Sequence, residues 1–113
     1  MRIGTLVFSG RSGEDYRFEV WPIETRFKPA AAVYIVTRRE VTTGTFSRAG
    51  HERIYLGQTR DISAPLGTQI QLASFSAKGA NCVCIYAVDS EERRAAIKKD
   101  LEDASVHYGA LAL

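Results

Sequence analysis

The sequence predicts an α+β domain built on a small, mainly antiparallel sheet with flanking helices. Short runs of aromatic and β-branched residues fill the first half of the chain, and turn-forming residues separate them. The clearest helical periodicity comes only near the end. Together these runs give the order β-β-β-β-α-β-α, which is typical of α+β folds.

The first two predicted strands, residues 5–8 and 16–21, form a hairpin. Both are rich in aromatic and β-branched residues, and the second alternates polar with apolar side chains. Residues 9–13 between them are turn formers. We therefore predict one domain over residues 1–113, with an N-terminal hairpin extension over 1–28 and a core over 30–108.

Three further strands are expected to make the centre of the sheet. Residues 31–37 are an almost continuous apolar run, which indicates a strand buried on both faces. Residues 51–57 follow a short loop, so the two strands can pair antiparallel. Residues 81–88 form the fifth strand, on which Cys82 and Cys84 point to one face as buried, reduced thiols rather than as a metal site.

Two helices are predicted. In residues 61–74 apolar side chains recur at helical spacing, but Pro65 and Gly67 oppose a helix, so a short or distorted one is expected. Residues 89–106 form the clearer helix, with Asp89 and Glu92 as a capping-box-like start. Its apolar stripe comprises Ile97, Leu101, Ala104 and Tyr108.

Composition and charge limit the classes of function. A chain of 113 residues with 45% hydrophobic and 25% charged residues is ordinary for a globular domain. Since no apolar run approaches the ~20 residues that cross a bilayer, and no signal-peptide pattern opens the chain, we expect a cytoplasmic protein without a membrane partner. The net charge of +2 is spread over scattered basic residues, so charge alone favours a solvated surface. The oligomeric state is left open.

Two tyrosines stand out by their context, Tyr34 in the third strand and Tyr55 in the fourth. Taken alone, each is an ordinary sheet tyrosine that packs its ring. Taken together, the Val-Tyr that ends at Tyr34 and the Tyr-Leu-Gly-Gln-Thr that begins at Tyr55 resemble the two halves of the GIY-YIG nuclease signature. The resemblance extends through residues 59–62, 79–85 and the last helix, and residues 8–13 are similar to a small bacterial subgroup.

The resemblance implies a metal-dependent phosphodiesterase or endonuclease site. In that family the tyrosine hydroxyls lie beside the attacking water, and an arginine on the first helix binds the scissile phosphate. A glutamate on the last helix holds one divalent cation, Mg²⁺ or Mn²⁺. By matching position, Tyr34 and Tyr55 are the candidate catalytic residues, and DNA or another nucleic acid is the implied partner.

At three positions the sequence departs from the family pattern. Pro65 stands where the subgroup has the arginine, Gln69 where it has a histidine, and Lys98 where the family has the glutamate. A proline side chain cannot bind phosphate, and a protonated lysine cannot ligate a metal. Arg60 is a possible substitute arginine, although it precedes the helix. Three acidic residues of the last helix are considered as substitute ligands, but none of them points in the direction of Lys98 on a regular helix; they are Glu91, Glu92 and Asp100.

Three interpretations follow, and we favour a cleavage-dead GIY-YIG-like domain that binds nucleic acid or a protein partner without a cofactor. An active endonuclease with a rearranged site is the second, and a purely protein-interaction module is the third. The favoured interpretation predicts that Tyr34, Tyr55 and Lys98 line one shallow face, with Pro65 at the start of a short helix beside them. Arg60 and Lys98 are the candidate nucleic-acid contacts. For Lys98 the alternative is a solvated lysine whose stem covers apolar surface.

Overall fold

A computed structural model describes residues 1–42, 48–64 and 69–112 of the chain. The strands are β1 (Gly4–Ser9), β2 (Asp15–Pro22), β3 (Ala32–Thr42), β4 (Arg48–Thr59) and β5 (Cys82–Ala87), and the helices are α1 (Gln69–Ala77) and α2 (Glu91–Ala112). The predicted order of elements and the α+β class are confirmed. The strands form one sheet in the order β1-β2-β5-β3-β4, and each neighbouring pair is antiparallel.

The N-terminal hairpin is part of the central sheet rather than an appendage. β1 and β2 pair as predicted, but β2 also pairs along its other side with β5, where Glu19 lies opposite Ile85. Every second residue of β2 is buried in the same core as the later strands. The hairpin therefore widens the sheet and completes one of its cores.

Alternation along β3 divides the interior into two cores, one on each face of the sheet. Val33 and Ile35 pack with Ile97 of α2, whereas Tyr34 packs with Phe75 of α1. Because successive side chains of a strand point to opposite faces, α1 and α2 cover opposite sides of the sheet. The prediction that this strand is buried on both faces is confirmed.

Cys82 and Cys84 of β5 are free, buried thiols that belong to the core under α2, as predicted. Burial raises the pKa of the Cys84 thiol to about 12. The thiol therefore stays protonated at neutral pH and packs as a small apolar side chain.

The first helix starts later than the sequence suggests. Residues 62–64 form a turn in which the Asp61 Oδ1 atom accepts hydrogen bonds from the Ser63 amide at 2.9 Å and from its hydroxyl at 2.5 Å. An aspartate that bonds the backbone two residues ahead competes with a helix, which explains the late start. Pro65 lies outside the described residues. Among residues 73–77 of α1, Phe75 is buried, whereas Ala73 is exposed.

The second helix begins two residues later than predicted and ends at Ala112 rather than at residue 106. The Ser90 hydroxyl accepts a hydrogen bond from the Arg93 amide at 3.2 Å, so Ser90 rather than Asp89 caps the helix. The predicted stripe is buried at Ile97, Leu101 and Ala104, and the side chain of Tyr108 lies outside the described part. Within the described residues, we find no helix with the length and apolar character that a membrane crossing requires.

Candidate functional site

Tyr34 and Tyr55 lie on the same face of the sheet, on neighbouring strands. In the β3–β4 register Tyr34 is opposite Gly57 and Tyr55 is opposite Val36, so the two tyrosines are diagonal neighbours. Their ring centroids are 5.9 Å apart, and the rings are tilted by 37°. The prediction that the two tyrosines share a face is confirmed.

Gly57 allows this close approach. A Cβ atom at position 57 would lie 2.7 Å from the Cζ and Oη atoms of Tyr34, well inside van der Waals contact. The glycine is therefore required by the packing of the Tyr34 ring across the neighbouring strand.

A third ring joins the pair from the adjacent helix. The centroid of Phe75 in α1 is 5.6 Å from that of Tyr55. Tyr34 and Phe75 are buried, whereas Tyr55 is 45% exposed, one of the most exposed large apolar side chains among the described residues. We call these three rings, with Gly57, the tyrosine face. It offers solvent one aromatic ring that the two buried rings hold in place.

The protonation state of the buried tyrosine sets what it can do chemically. Two causes raise the pKa of Tyr34 to about 12: the larger is burial, and the smaller is the neighbouring Tyr55 hydroxyl. At neutral pH Tyr34 is therefore a neutral phenol, which can donate a hydrogen bond but is a poor general base.

Lys98 does not lie beside the tyrosines, and the expectation that it would is wrong. It belongs to α2, which buries Ile97 and Leu101 in the core on the opposite face of the sheet from Tyr34. Its ammonium group pairs with the Glu102 carboxylate one turn further along the helix. This placement agrees with the alternative interpretation of Lys98 as a surface lysine.

Two arginines, Arg60 and Arg38, take the place of Lys98 as candidate cations. Arg60 is exposed and directly follows β4, next to the turn at Asp61. Arg38 shares the face of Tyr34 because it lies four residues further along β3, and its Cδ atom is 3.0 Å from the position of a Cβ on Gly79 in the turn after α1. Sequence reasoning missed Arg38, although a period of two counted from Tyr34 points to it.

Arg38 is partly neutralised by its neighbours. Its guanidinium lies 3.2 Å from a Glu40 carboxylate oxygen and 2.8 Å from one of Glu52, and all three side chains are substantially exposed. Exposed pairs of this kind are weak and screened by salt, so they can be exchanged for another anion.

The residues present do not fit the divalent cation that the family resemblance implies. Within residues 1–42, 48–64 and 69–112, no group of three or more His, Cys, Asp or Glu side chains is arranged to hold a metal ion. Glu91 and Glu92 are exposed in the first turn of α2, the helix on the far face. The position of the family's glutamate is the cationic Lys98 itself.

Asp100, the remaining candidate ligand, is committed to a structural role. Its Oδ1 accepts a hydrogen bond from the Ser12 amide at 2.9 Å, and its Oδ2 accepts one from the Ser12 hydroxyl at 2.7 Å and one from the Tyr16 hydroxyl at 2.8 Å. These bonds, chiefly those from Ser12, hold the pKa of the Asp100 carboxyl below its ordinary value. Asp100 thus fastens the β1–β2 turn to α2 beside an open groove of about 540 Å³.

Arg94 is a buried cation that sequence reasoning treated as ordinary surface charge. It is 1% exposed, and its Nε donates to the Gln58 Oε1 atom at 3.0 Å. Its Nη1 donates to the backbone oxygens of Val88 at 3.0 Å and Asp89 at 2.6 Å. Arg94 therefore ties the start of α2 to Gln58 of β4, three residues after Tyr55.

A comparison of this chain with protein-family models, with curated proteins and with solved structures found no match. The protein is a small antiparallel α+β domain, with an aromatic surface on one face of the sheet and a helix held by many hydrogen bonds on the other.

Proposed function

We propose that this chain is a cleavage-dead relative of the GIY-YIG nucleases whose tyrosine face binds single-stranded nucleic acid without hydrolysing it. The observation that carries the proposal is the half-exposed Tyr55 ring, which Tyr34 and Phe75 hold in place from behind. A fixed, exposed ring gives an unpaired base a surface on which to stack, and every base has such a face.

The charge of the other groups suits an anionic nucleic-acid backbone. Tyr34 is buried and stays a neutral phenol at physiological pH, so it does not repel a phosphate. Arg60 is exposed just after β4, and Arg38 shares the tyrosine face and pairs with two exposed carboxylates. Because there are only these two candidate cations and both are accessible to solvent, we expect weak, salt-dependent binding with little sequence preference.

Absence of cleavage follows from the chemistry of two positions. Hydrolysis of a phosphodiester requires stabilisation of the charge that builds on the phosphoryl oxygens. Pro65 offers no donor where the resemblance implies an arginine, and Lys98 offers a cation where it implies a metal ligand. Since Lys98 also lies across the sheet from Tyr34, it cannot replace the metal's charge beside the tyrosines.

The binding proposal is tested by fluorescence anisotropy with labelled single-stranded DNA at low salt. Tyr55→Leu keeps an apolar side chain but removes the ring, so affinity should fall by about 5- to 150-fold, corresponding to about 1–3 kcal/mol per stacked base. Tyr55→Phe keeps the ring and should bind nearly as well as the wild type. Tyr86→Leu is the matched control, because Tyr86 packs on the opposite face against Tyr16 and Phe18.

Three outcomes separate the candidate functions. Equal binding by Tyr55→Leu and Tyr86→Leu would show that the nucleic acid does not contact the tyrosine face. Mg²⁺- or Mn²⁺-dependent cleavage that Tyr55→Phe abolishes would establish an active endonuclease with a rearranged site. If the wild type binds no nucleic acid at low salt, a protein-interaction module replaces the proposal.

A further inference from the structure

The two edge strands of the sheet differ sharply in how they discourage pairing with another chain. β4, at one edge, carries Arg48, Glu52 and Arg53, and a bulge interrupts its register with β3 between Val36 and Thr37. Charged residues and bulges are the usual protection of an exposed edge. β1, at the other edge, has the sequence GTLVFS, with no charged residue and no proline, and its register with β2 is unbroken.

The backbone of β1 presents hydrogen-bonding groups outward. Just beyond the strand, the Gly10 amide donates to the Glu14 carbonyl at 2.8 Å, in the same register as the β1–β2 pairs. This fixes the phase of the ladder, so Leu6 and Phe8 exchange hydrogen bonds with β2. Thr5 and Val7 therefore direct their amides and carbonyls away from β2, where no described strand lies.

Exposed apolar side chains lie next to the outward-facing backbone groups of β1. Ile3 is 42% and Val7 is 43% exposed, and few large hydrophobic side chains in the described part of the chain are as exposed. Leu6 and Phe8, on the other face of the strand, are partly buried against the core under α2. In its composition β1 resembles the central strand β5, which is also uncharged. It does not resemble the other edge strand, β4, which is charged.

The charges that flank β1 indicate how it would pair with itself. Arg2 lies at its N-terminal end, where it pairs with Glu19 at 3.0 Å, and Arg11, Glu14 and Asp15 lie at its C-terminal end; all of these side chains are exposed. Because an exposed ion pair is weak, Arg2 can exchange Glu19 for an acidic residue of another copy. An antiparallel pair of two β1 strands brings Arg2 of each copy to the end of the other copy that carries Glu14 and Asp15. A parallel pair would place like charges together, which costs free energy.

We propose that β1 is a homodimer interface, in which β1 of two copies pair antiparallel about a two-fold axis and join two five-stranded sheets. Because the outward groups belong to Thr5 and Val7, the register must set odd-numbered residues opposite each other. The register centred on Leu6 places Thr5 opposite Val7 of the partner subunit and Arg2 opposite Gly10 of the partner subunit. A two-fold, self-complementary contact of this type closes on itself and does not propagate.

Analytical ultracentrifugation of the full chain over about 1–500 µM tests the proposal, since a single strand pair gives a small interface and a dissociation constant in the micromolar range. Val7→Pro removes an outward amide that β2 does not use, so it should weaken dimerisation at least about tenfold while the fold is retained. Val7→Lys places a charge on the edge and should act in the same direction. Val7→Thr keeps both the amide and the β-branched shape and is the matched control.

Hydrogen exchange locates the interface independently of the variants. In a concentrated wild-type sample the Thr5 and Val7 amides should exchange at least about tenfold more slowly than in a dilute one, whereas Leu6 and Phe8 should be protected in both. A wild type that stays monomeric at about 500 µM overturns the proposal. So does a dimer that Val7→Pro and Val7→Lys leave intact, because its interface would then lie elsewhere.

Discussion

The two faces of the sheet are built on different principles. On the α2 face, a long helix buries Ile97 and Leu101, Arg94 bonds to Gln58 and two carbonyl groups, and Asp100 fastens the β1–β2 turn. On the tyrosine face, a nine-residue helix supplies Phe75, and the Tyr55 ring is left half-exposed. One face satisfies its polar groups internally, and the other leaves aromatic and cationic groups accessible.

The difference between the faces separates the residues of the tyrosine motif that have a structural role from those that are candidates for binding. Gln58 follows the Tyr-Leu-Gly segment, and its side chain is used by Arg94 on the α2 face. Tyr55 belongs to the same segment, but its ring is directed to solvent on the other face. A single strand therefore holds a structural residue and a candidate binding residue in alternation, and substitutions on the two faces should separate stability from binding.

The largest effect is expected on the α2 face at Arg94. Arg94→Leu leaves the Val88 and Asp89 carbonyls and the Gln58 Oε1 atom without their donor, and should lower the free energy of unfolding by about 3 kcal/mol. Arg93→Leu, at the exposed neighbouring position, should change it by less than about 0.5 kcal/mol. Chemical denaturation of both variants measures the difference, and equal stabilities would show that Arg94 is not a structural cation.

On the tyrosine face, the next largest effect is expected at Gly57. Gly57→Ala forces a methyl group against the Tyr34 ring, so it should cost about 1–3 kcal/mol and also weaken nucleic-acid binding by displacing that ring. Gly50→Ala is the matched control in the same strand, because its Cβ would meet nothing within 4 Å. Thermal unfolding and anisotropy measure both quantities. Identical behaviour of the two variants would contradict the placement of Tyr34 over Gly57.

The smallest effect is expected at Lys98, which lies on the α2 face. Lys98→Ala removes an ion pair on the α2 face, so stability should change by less than about 0.5 kcal/mol and nucleic-acid affinity should not change. Arg60→Ala should weaken binding by a similar factor on every sequence and flatten the salt dependence by about one unit of slope. Weaker binding by Lys98→Ala, measured across salt concentrations, would place the nucleic acid on the α2 face instead.

Much of the fold was predictable because its elements are locally encoded. The alternation of residues 16–21 and the apolar run of residues 31–37 identify their strands without tertiary information. The pairing of β2 with β5 was not predictable, since a strand pattern does not specify its partner. The start of α1 was missed because Asp61 forms a local turn with Ser63, a preference that helical spacing of apolar residues does not reveal.

The candidate site was predictable in its tyrosines and not in its cations. Two residues on adjacent strands keep their relation whenever the strands pair, so Tyr34 and Tyr55 could be placed together. Lys98 could not be placed, because a helical stripe shows which side of α2 is buried but not which face of the sheet it covers. Arg94 was missed because sequence alone does not distinguish a buried arginine from its exposed neighbour Arg93.

The bond between Ser12 and Asp100 has a consequence for synthesis on the ribosome. It joins residues 88 positions apart, and the nearby β2 strand likewise pairs with the late strand β5. Translation delivers the N-terminal hairpin first, so it must wait with one side unpaired until β5 and α2 have left the exit tunnel. Such distant partners slow folding relative to a domain of local contacts, and the nascent hairpin is the segment that chaperones have the longest time to bind.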